Sequence, residues 1–569
     1  MACRRRWRDW NRKSPRPEKP ASARSLAAIV MKKLAAPQVA EADRTPAVME
    51  LFAWGDGLVE IIHRLLEERG HLKDEVAVLK GEKKRPTFKP SRMNEDAGKA
   101  ARPDRTQNGK PAKRPGSEKK SKTWQLKIDR DEVIEPAEPI PPGSRFKGYR
   151  DFVVQDLVIE SRNTRYRLAR WETPHGQTLI GQLPQAVQGG HFGPTLVSYV
   201  LYQHHHCHVT QPLLCEQLRE WGIEISSGQM NALLQVRKEH FHAEKDELLS
   251  TGLALSAYVT VDDTGTRHQG KNGYVTHIGN EHFAWFQSTG SKSRINFLEL
   301  LRAGRSDYQI NEEALAYMKK QGLSHVFLDA LRQHGSASFA DQRAWQHHLD
   351  GLGMNTPRYR NIATEGALLG SLKRHGMAPD LAIISDDAGQ FNVLIHGLCW
   401  VHAERLVHTL LPLNDQHRED IARVRGEIWS LYADLKGYKL HPSAKRKREL
   451  ARRFDTVFIR KTRYATLDRL LRRIHMNKSE LLLVLERPEV PLHTNGSERD
   501  IRDHVKKQKV SGGTRSELGR QCRDTFSSLK KTCRKLGISF WIYLTDRVSC
   551  SDQIPLLSQL LEQRIALSA

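Results

Sequence analysis

Seven cysteines are spread over the 569 residues, at 3, 207, 215, 399, 522, 533 and 550. No two form a Cys-x-x-Cys pair, so a disulfide-dense scaffold is excluded and a reducing compartment is expected. No apolar run approaches the length of a bilayer span, which excludes a helical membrane anchor. The basic N-terminus, MACRRRWRDWNRKSPRPEKP, lacks the apolar core of a secretory signal. Acidic residues are also scarce: 66 Asp plus Glu face 91 Lys plus Arg, a net charge of +25. That excess favours a polyanionic partner, and without a membrane segment the partner is nucleic acid. A cytoplasmic protein is expected.

What is present divides the chain by composition. Residues 1–50 read as a basic, disordered tail. Within 51–80, Leu58, Ile62, Leu65, Leu72, Val76 and Leu79 follow alternating steps of four and three, with Arg69 in the one spoiled position, a short coiled-coil seam suited to self-association. Residues 81–122 are a Lys-, Arg-, Pro- and Gly-rich linker. Residues 123–190 alternate short β-like runs with turns. Residues 191–245 read as helical. QPLLCEQLREWGIEISSGQMNALLQ carries a helix, a turn at Gly222 and a second helix capped by Ser226 or Ser227, a helix-turn-helix-like pattern for DNA. An ordinary helical hairpin has the same signature. The HHHCH run at 204–208 has no partner set completing a zinc site.

The region 250–545 reads as an α/β core that opens β-β-β-α. LALSAYVTVD at 253–262 alternates as a strand, and GYVTHIGN and EHFAWFQST meet at a Gly279-Asn280 hairpin signal. DLAIISDDAGQF at 380–391 is a second strand that ends, like VTVDD, on adjacent aspartates. Residues 304–378 and 410–490 read as helical insertions, and 546–569 as a C-terminal helix or tail.

Two strand tips that each carry an acidic pair are informative. Side by side, they crowd like charges that a divalent cation neutralises. Mg²⁺ (or Mn²⁺) favours carboxylates and phosphate oxygens, and a pair of ions clamps an in-line phosphoryl displacement. With the basic charge balance, the chemistry indicated is DNA strand cleavage or joining. Glu498 in TNGSERDIR is the candidate third carboxylate. Asn495-x-x-Glu498 also has the form of a capping box, in which Glu498 would only bond back to the cap. Between 499 and 535 stand twelve Lys or Arg against four acids. Arg499, Arg502, Lys506, Lys507, Lys509 and Arg515 are the candidate phosphate-binding residues.

VDDTGTRH, SDDAGQF with CWVHAERL close behind, TNGSERDIR, and the basic tail ending KLGISFWIYLTDRV together resemble the transposases of the insertion-sequence sixty-six family over about 195–545. The resemblance implies an RNase H-like catalytic core, a mixed sheet flanked by helices, with an Asp-Asp-Glu triad holding two Mg²⁺. It implies a DNA transposase that cuts element ends and joins the 3′-hydroxyl to target DNA. A homo-oligomer, and accessory proteins of the same element, are expected with it. Two departures stand out: the cysteine-paired zinc segment common in the family is missing, and 304–378 is long. Within the pairs, alternation puts Asp262 on the side of Tyr258 and Thr260, and Asp262 is read as the last strand residue. Asp262 is therefore preferred to Asp263, and Asp386 to Asp387. The triad expected is Asp262, Asp386 and Glu498. A non-catalytic DNA-binding protein (a decayed transposase or regulator) and a nuclease that cuts without joining are the competing classes.

Overall fold

The computed structural model describes Thr45, Ala47 and residues 126–567 apart from 188–189, 334–336 and 379. The tail, the coiled-coil seam and the basic linker lie outside the described residues, those two positions aside. The chain divides into two units, 65–163 and the remainder. In the first unit, the described residues 126–163 contain no helix or strand, and their large apolar side chains, such as Phe152 at 90% exposure, face solvent. Among the described residues of the region 123–190, where short β-like runs are expected, the strands form one small hairpin, β1 (Arg170–Glu172) with β2 (Thr178–Ile180).

Four helices lead into the sheet: α1 (Pro194–His205), α2 (Gln211–Glu220), α3 (Ser227–Gln235) and α4 (Glu239–Leu255). The turn between α2 and α3 uses Gly222 at φ +73°, a backbone region that costs glycine nothing. Ser226 is the N-cap of α3, in a full capping box with Gln229. His208 lies beyond the end of α1, so the histidine run is not one helical face.

β3 (Tyr258–His268), β4 (Lys271–Gly279) and β5 (Ala284–Thr289) form an antiparallel meander. The β4–β5 connection is longer than a two-residue hairpin. Asn280 organises it, accepting the amides of His282 and Phe283 on its side-chain oxygen. α5 (Arg294–Leu301) follows, then β6 (Tyr308–Gln309), α6 (Glu312–Lys320), α7 (His325–Gln333), β7 (Ser338–Phe339), α8 (Gln342–Gly351) and α9 (Pro357–Arg374). These elements are not a peripheral insertion. Tyr308, Met318, Trp345 and Leu368 share one apolar cluster with Val259, Val261 and Ile383 of the sheet.

β8 (Ala382–Ser385) and β9 (Ile395–Leu398) complete a five-stranded mixed sheet of order β5-β4-β3-β8-β9, with β8 parallel to both its neighbours. Helices α10 (Trp400–His408), α11 (Asp415–Leu440), α12 (Ala444–Phe458), α13 (Ala465–Met476) and α14 (Lys478–Leu481) come next. They bury Trp400, Leu431, Phe454 and Leu471 with Ala382 and Ile384, on the opposite face from Val259 and Ile383. α15 (Asn495–Ser511) lies over that face at β3 and β4, where Ile501 meets Val275 and Phe286. No described helix is long and apolar enough to cross a membrane.

α16 (Glu517–Leu536) closes the outer edge of the sheet. An edge strand exposes unpaired amides at every second residue, about 6.8 Å apart. Residues four apart on a helix rise about 6 Å. Thr532, Ser528 and Asp524 use that match. They accept the amides of Ala284, Phe286 and Ser288 at 3.1, 2.9 and 2.7 Å. α17 (Phe540–Ser549) and α18 (Leu557–Ala566) then return to α4. Arg547 of α17 donates to both oxygens of buried Glu244 at 3.1 Å, and the Leu557 amide donates to Glu244 at 2.9 Å. The C-terminal helix is therefore docked, with Leu557 and Leu561 fully buried.

The edge ladder yields the first prediction. Asp524→Ala strands the Ser288 amide and hydroxyl and should lower unfolding free energy by about 2–4 kcal/mol, and Thr532→Val by about 1 kcal/mol. Denaturant titration of each variant checks this, and unchanged midpoints would refute the ladder.

Candidate functional site

The site begins with strand register. Tyr258, Val259 and Thr260 of β3 pair in parallel with Ala382, Ile383 and Ile384 of β8. Beyond Thr260 and Ile384 the two chains are no longer paired. Asp262 and Asp386 each stand two residues past that last pair, so they come level at the end of the parallel contact. Neighbouring strands lie about 4.8 Å apart. β3 itself does not stop at Asp262, as the sequence suggested. It runs six residues further, held by antiparallel pairing to β4 as far as His268. The tip is a tip only towards β8.

The faces follow from pairing. Asp262 stands opposite His277, whose ring meets Phe286 and Asp500, so Asp262 faces α15. Asp263 stands opposite Thr276 on the other face. The Thr276 hydroxyl donates to its Oδ1 at 2.5 Å and the Gln390 amide to its Oδ2 at 3.1 Å. Both oxygens of Asp263 are thus engaged. Asp262 takes only its neighbour's amide, Asp263 N–H, at 2.8 Å on Oδ1. In the second pair, Asp387 is exposed and turned to Arg473 of α13 and to Asn477 just past its end, at 3.5 and 3.4 Å. Asp386 is half-buried, and its Oδ1 accepts the Ala388 amide at 3.2 Å.

Glu498 enters from α15. The helix starts at Asn495 with Thr494 as N-cap and no side-chain cap, so the capping-box alternative is not formed. The Glu498 carboxylate instead accepts from Arg502 at 2.9 Å on Oε2. Its buried Oε1 has no hydrogen-bond partner, with His402 Nε2 and Arg405 Nη2 of α10 each at 3.7 Å. Beneath it, Ser497 donates to Thr260, which itself donates to the Gly279 carbonyl, at 2.6 and 2.9 Å. A hydroxyl pair therefore pins α15 to β3 directly under Asp262 and Glu498. Sequence reasoning passed over Thr260 and Ser497, although alternation already put Thr260 on the side of Asp262.

Charge in the site is unbalanced towards acid. Burial, then Asp386 and more weakly Glu498, push the Asp262 carboxyl up to about 6, against the pull of the Asp263 amide and His402. Burial raises Asp263 too, and its hydrogen bonds oppose the shift. Burial lowers His402, but the bond to Cys399 and the charge of Glu498 carry it above its ordinary value. Among the described residues, no three His, Cys, Asp or Glu side chains are arranged to hold a metal ion as they stand. The donor chemistry nevertheless fits a hard divalent cation: only oxygens, an excess of negative charge at Asp262, and an orphaned oxygen on Glu498.

Of the six expected phosphate-binding residues, Arg499, Arg502, Lys506, Lys509 and Arg515 are exposed. Lys507, expected at the surface, is buried instead. It is 4% exposed, and its ammonium donates to the His204 carbonyl at 2.7 Å. The helix period turns it inward, where burial and the charges of Arg523 and Lys530 bring it down to about 7. The density of cations in 499–535 also overstated what is available. Lys530 meets Asp503 at 2.7 Å, Lys535 meets Asp500 at 2.8 Å, and Lys531 lies within 3.6 Å of both acids. Those pairs bind α16 to α15.

Comparison with known proteins adds two findings. The family described as Transposase IS66 family matches residues 383–522, a span that includes Asp386 and Glu498 but not Asp262. The chain is also 43% identical, over 308 residues, to "Uncharacterized protein y4jO" of Sinorhizobium fredii (strain NBRC 101917 / NGR234). That match covers 54% of this chain and 96% of the relative.

Lys507 supplies a pH-dependent prediction. A base whose folded pKa is depressed destabilises the fold wherever the unfolded chain would still hold the proton. The cost is full below about 7 and fades as pH rises towards the unfolded value of 10.5. Lys507→Met should therefore be more stable than wild type at pH 6–7, by about 1–3 kcal/mol. The advantage should shrink by pH 10, as read by denaturation at several pH values. A pH-independent difference would refute it.

Proposed function

The chain belongs to the IS66 family of transposases, and from that premise we propose that it cleaves the ends of a mobile element and joins the released 3′-hydroxyl to target DNA. Asp262, Asp386 and Glu498 are the carboxylates we assign to the reaction. The single observation that carries the assignment is the register of β3 on β8. It brings Asp262 and Asp386 level where the parallel pairing ends, on the face that α15 covers with Glu498.

We read the sheet as RNase H-like. An antiparallel trio continued by a parallel pair, with helices on both faces, supports that reading. The catalytic domain then runs from 250 to 545. The segment 191–245 is a DNA-binding helix-turn-helix in which α3 offers Ser227, Asn231 and Ala232 outward. The segment 51–80, outside the described residues, is assigned to self-association into a homo-oligomer. A cytoplasmic, nucleoid-associated location follows, and accessory proteins of the element remain part of the proposal.

Two Mg²⁺ or Mn²⁺ ions, held by Asp262, Asp386 and Glu498, would supply Lewis-acid polarisation of the scissile phosphate and an activated water or 3′-hydroxyl. The protein's own contribution is positioning and charge. Exposed Arg499, Arg502, Lys506, Lys509 and Arg515 hold phosphates along one edge of the site. Arg502 has a second task. Without DNA it neutralises Glu498, and a phosphate that takes over its guanidinium frees that carboxylate for the site. His402 and Arg405 flank Glu498 from α10, and Arg405 adds positive charge where the phosphate must enter.

The test is strand cleavage and strand transfer on labelled element ends with Mg²⁺. Asp262→Asn, Asp386→Asn and Glu498→Gln should each lose about 10²–10³-fold in both steps while still binding DNA, a loss typical of a missing catalytic-site electrostatic group. Asp263→Asn should keep most of its activity. Joining at wild-type rate by any of the three would overturn the triad. Cutting without joining by wild type would make the protein a nuclease. DNA binding without either step would make it a non-catalytic DNA-binding protein. For Arg502→Ala, DNA affinity should fall and the slope of log affinity against log salt should drop by about one unit.

A further inference from the structure

Asp386 depends on a buried hydrogen-bond chain that reaches it from the helical segment 410–490. The Ser385 hydroxyl lies 2.5 Å from the carbonyl oxygen of Asp386 and 2.8 Å from His396 Nε2. His396 Nδ1 lies 3.0 Å from Glu480 Oε1, which also accepts from the Asn392 side chain at 3.0 Å. Ser385 is fully buried at the end of β8, His396 is 9% exposed on β9, and Glu480 sits on α14.

The directions are set by the atoms. A carbonyl oxygen only accepts, so the single hydroxyl proton of Ser385 goes to Asp386. The hydroxyl oxygen keeps its lone pairs for His396 Nε2, which donates to it when the ring holds hydrogen on both nitrogens. The carboxylate of Glu480 likewise accepts from Nδ1–H. Ser385 Oγ–H and Nε2–H then point towards the backbone that carries Asp386, and Nδ1–H points the other way and anchors the ring on the Glu480 carboxylate.

The packing that permits this is local. A Cβ added to Gly397, next to His396, would lie 2.9 Å from Leu483 and 2.7 Å from Ile384. Glycine there lets the segment around α14 lie close enough on β9 for Glu480 to reach His396. Trp400 adds a second tie, its indole donating to the Leu481 carbonyl at 2.8 Å.

We propose that Glu480, His396 and Ser385 are positioning residues, a relay through which the helical segment fixes the backbone of Asp386 and so the geometry of the second carboxylate. None of the three touches the reacting atoms. Orienting partners of this kind commonly hold a ligand carboxylate to within tenths of an ångström, and their loss weakens metal affinity or activity about 10–100-fold. The proposal rests on the reading of Asp386 as a metal-binding carboxylate.

The test uses the full chain. Single-turnover cleavage with Mg²⁺, DNA affinity, Mn²⁺ affinity by electron paramagnetic resonance without DNA, and melting temperature are measured for Ser385→Ala, His396→Leu, His396→Gln and Asp386→Asn. Ser385→Ala and His396→Leu should cleave about 10–100-fold more slowly and bind Mn²⁺ more weakly. Their DNA affinity should be unchanged. His396→Gln keeps an N–H near the position of Nε2 and should recover to within a few-fold of wild type. If Asp386→Asn is inactive while Ser385→Ala and His396→Leu match wild type, the relay is wrong and the site reading stands. Equal losses in His396→Gln and His396→Leu, tracking melting temperature and not Mn²⁺ affinity, would reduce the relay to packing and overturn it. Wild-type cleavage by Asp386→Asn would remove the site reading itself.

Discussion

Three parallel residue pairs, Tyr258–Ala382, Val259–Ile383 and Thr260–Ile384, set the frame on which everything else depends. A one-residue slip would turn every side chain of β8 to the other face of the sheet. It would send Ile383 and Ile384 into the wrong apolar clusters and take Asp386 away from Asp262. The register is held from both sides. Val259 and Ile383 are locked into the cluster that α9 closes, and Ala382 and Ile384 into the one that α10 to α14 close. The long segments between and after the strands are therefore what keep two aspartates level.

The same frame explains how a chain of net charge +25 folds around an acidic centre. Most buried cations have local partners: Lys530, Lys531 and Lys535 with Asp500 and Asp503, and Arg547 with Glu244 and Asp546. The salt bridges around α15 brace that helix on α16, and His277 beside Asp500 braces it on β4. The positive charge left at the surface of α15 lies on the turns that follow Glu498. On the proposed reading, this separation lets one helix present a carboxylate to the ions and arginines to the phosphates.

Much of this was legible in the chain. Alternation in YVTVDD put Asp262 and Asp263 on opposite faces, and the hydrogen bonds of Asp263 to Thr276 and Gln390 agree with that division. Ser226 announced its helix, because an N-cap is a local interaction. The strand end at Asp262 was misjudged, because β3 continues on pairing with β4, a partner that local pattern does not reveal. Residues 304–378 read as an insertion because their apolar partners, such as Val259 and Ile383, are distant in sequence. Counting cations in 499–535 treated Lys507 as surface, and only its place on the inner face of α15 corrects this. Ser385, His396 and Glu480 carried no signal, since a serine before an aspartate is common and its partners lie 11 and 95 residues away along the chain.

On the proposed reading, Asp262, Asp386 and Glu498 form one divalent-metal site. Anomalous diffraction from crystals of the full chain grown with Mn²⁺ and an element-end DNA tests it most directly. An ion is expected about 2.2 Å from carboxylate oxygens of both Asp262 and Asp386, with Glu498 released from Arg502 towards it. Ordered carboxylates with Mn²⁺ bound elsewhere, or with Glu498 still held by Arg502 on bound DNA, would contradict it.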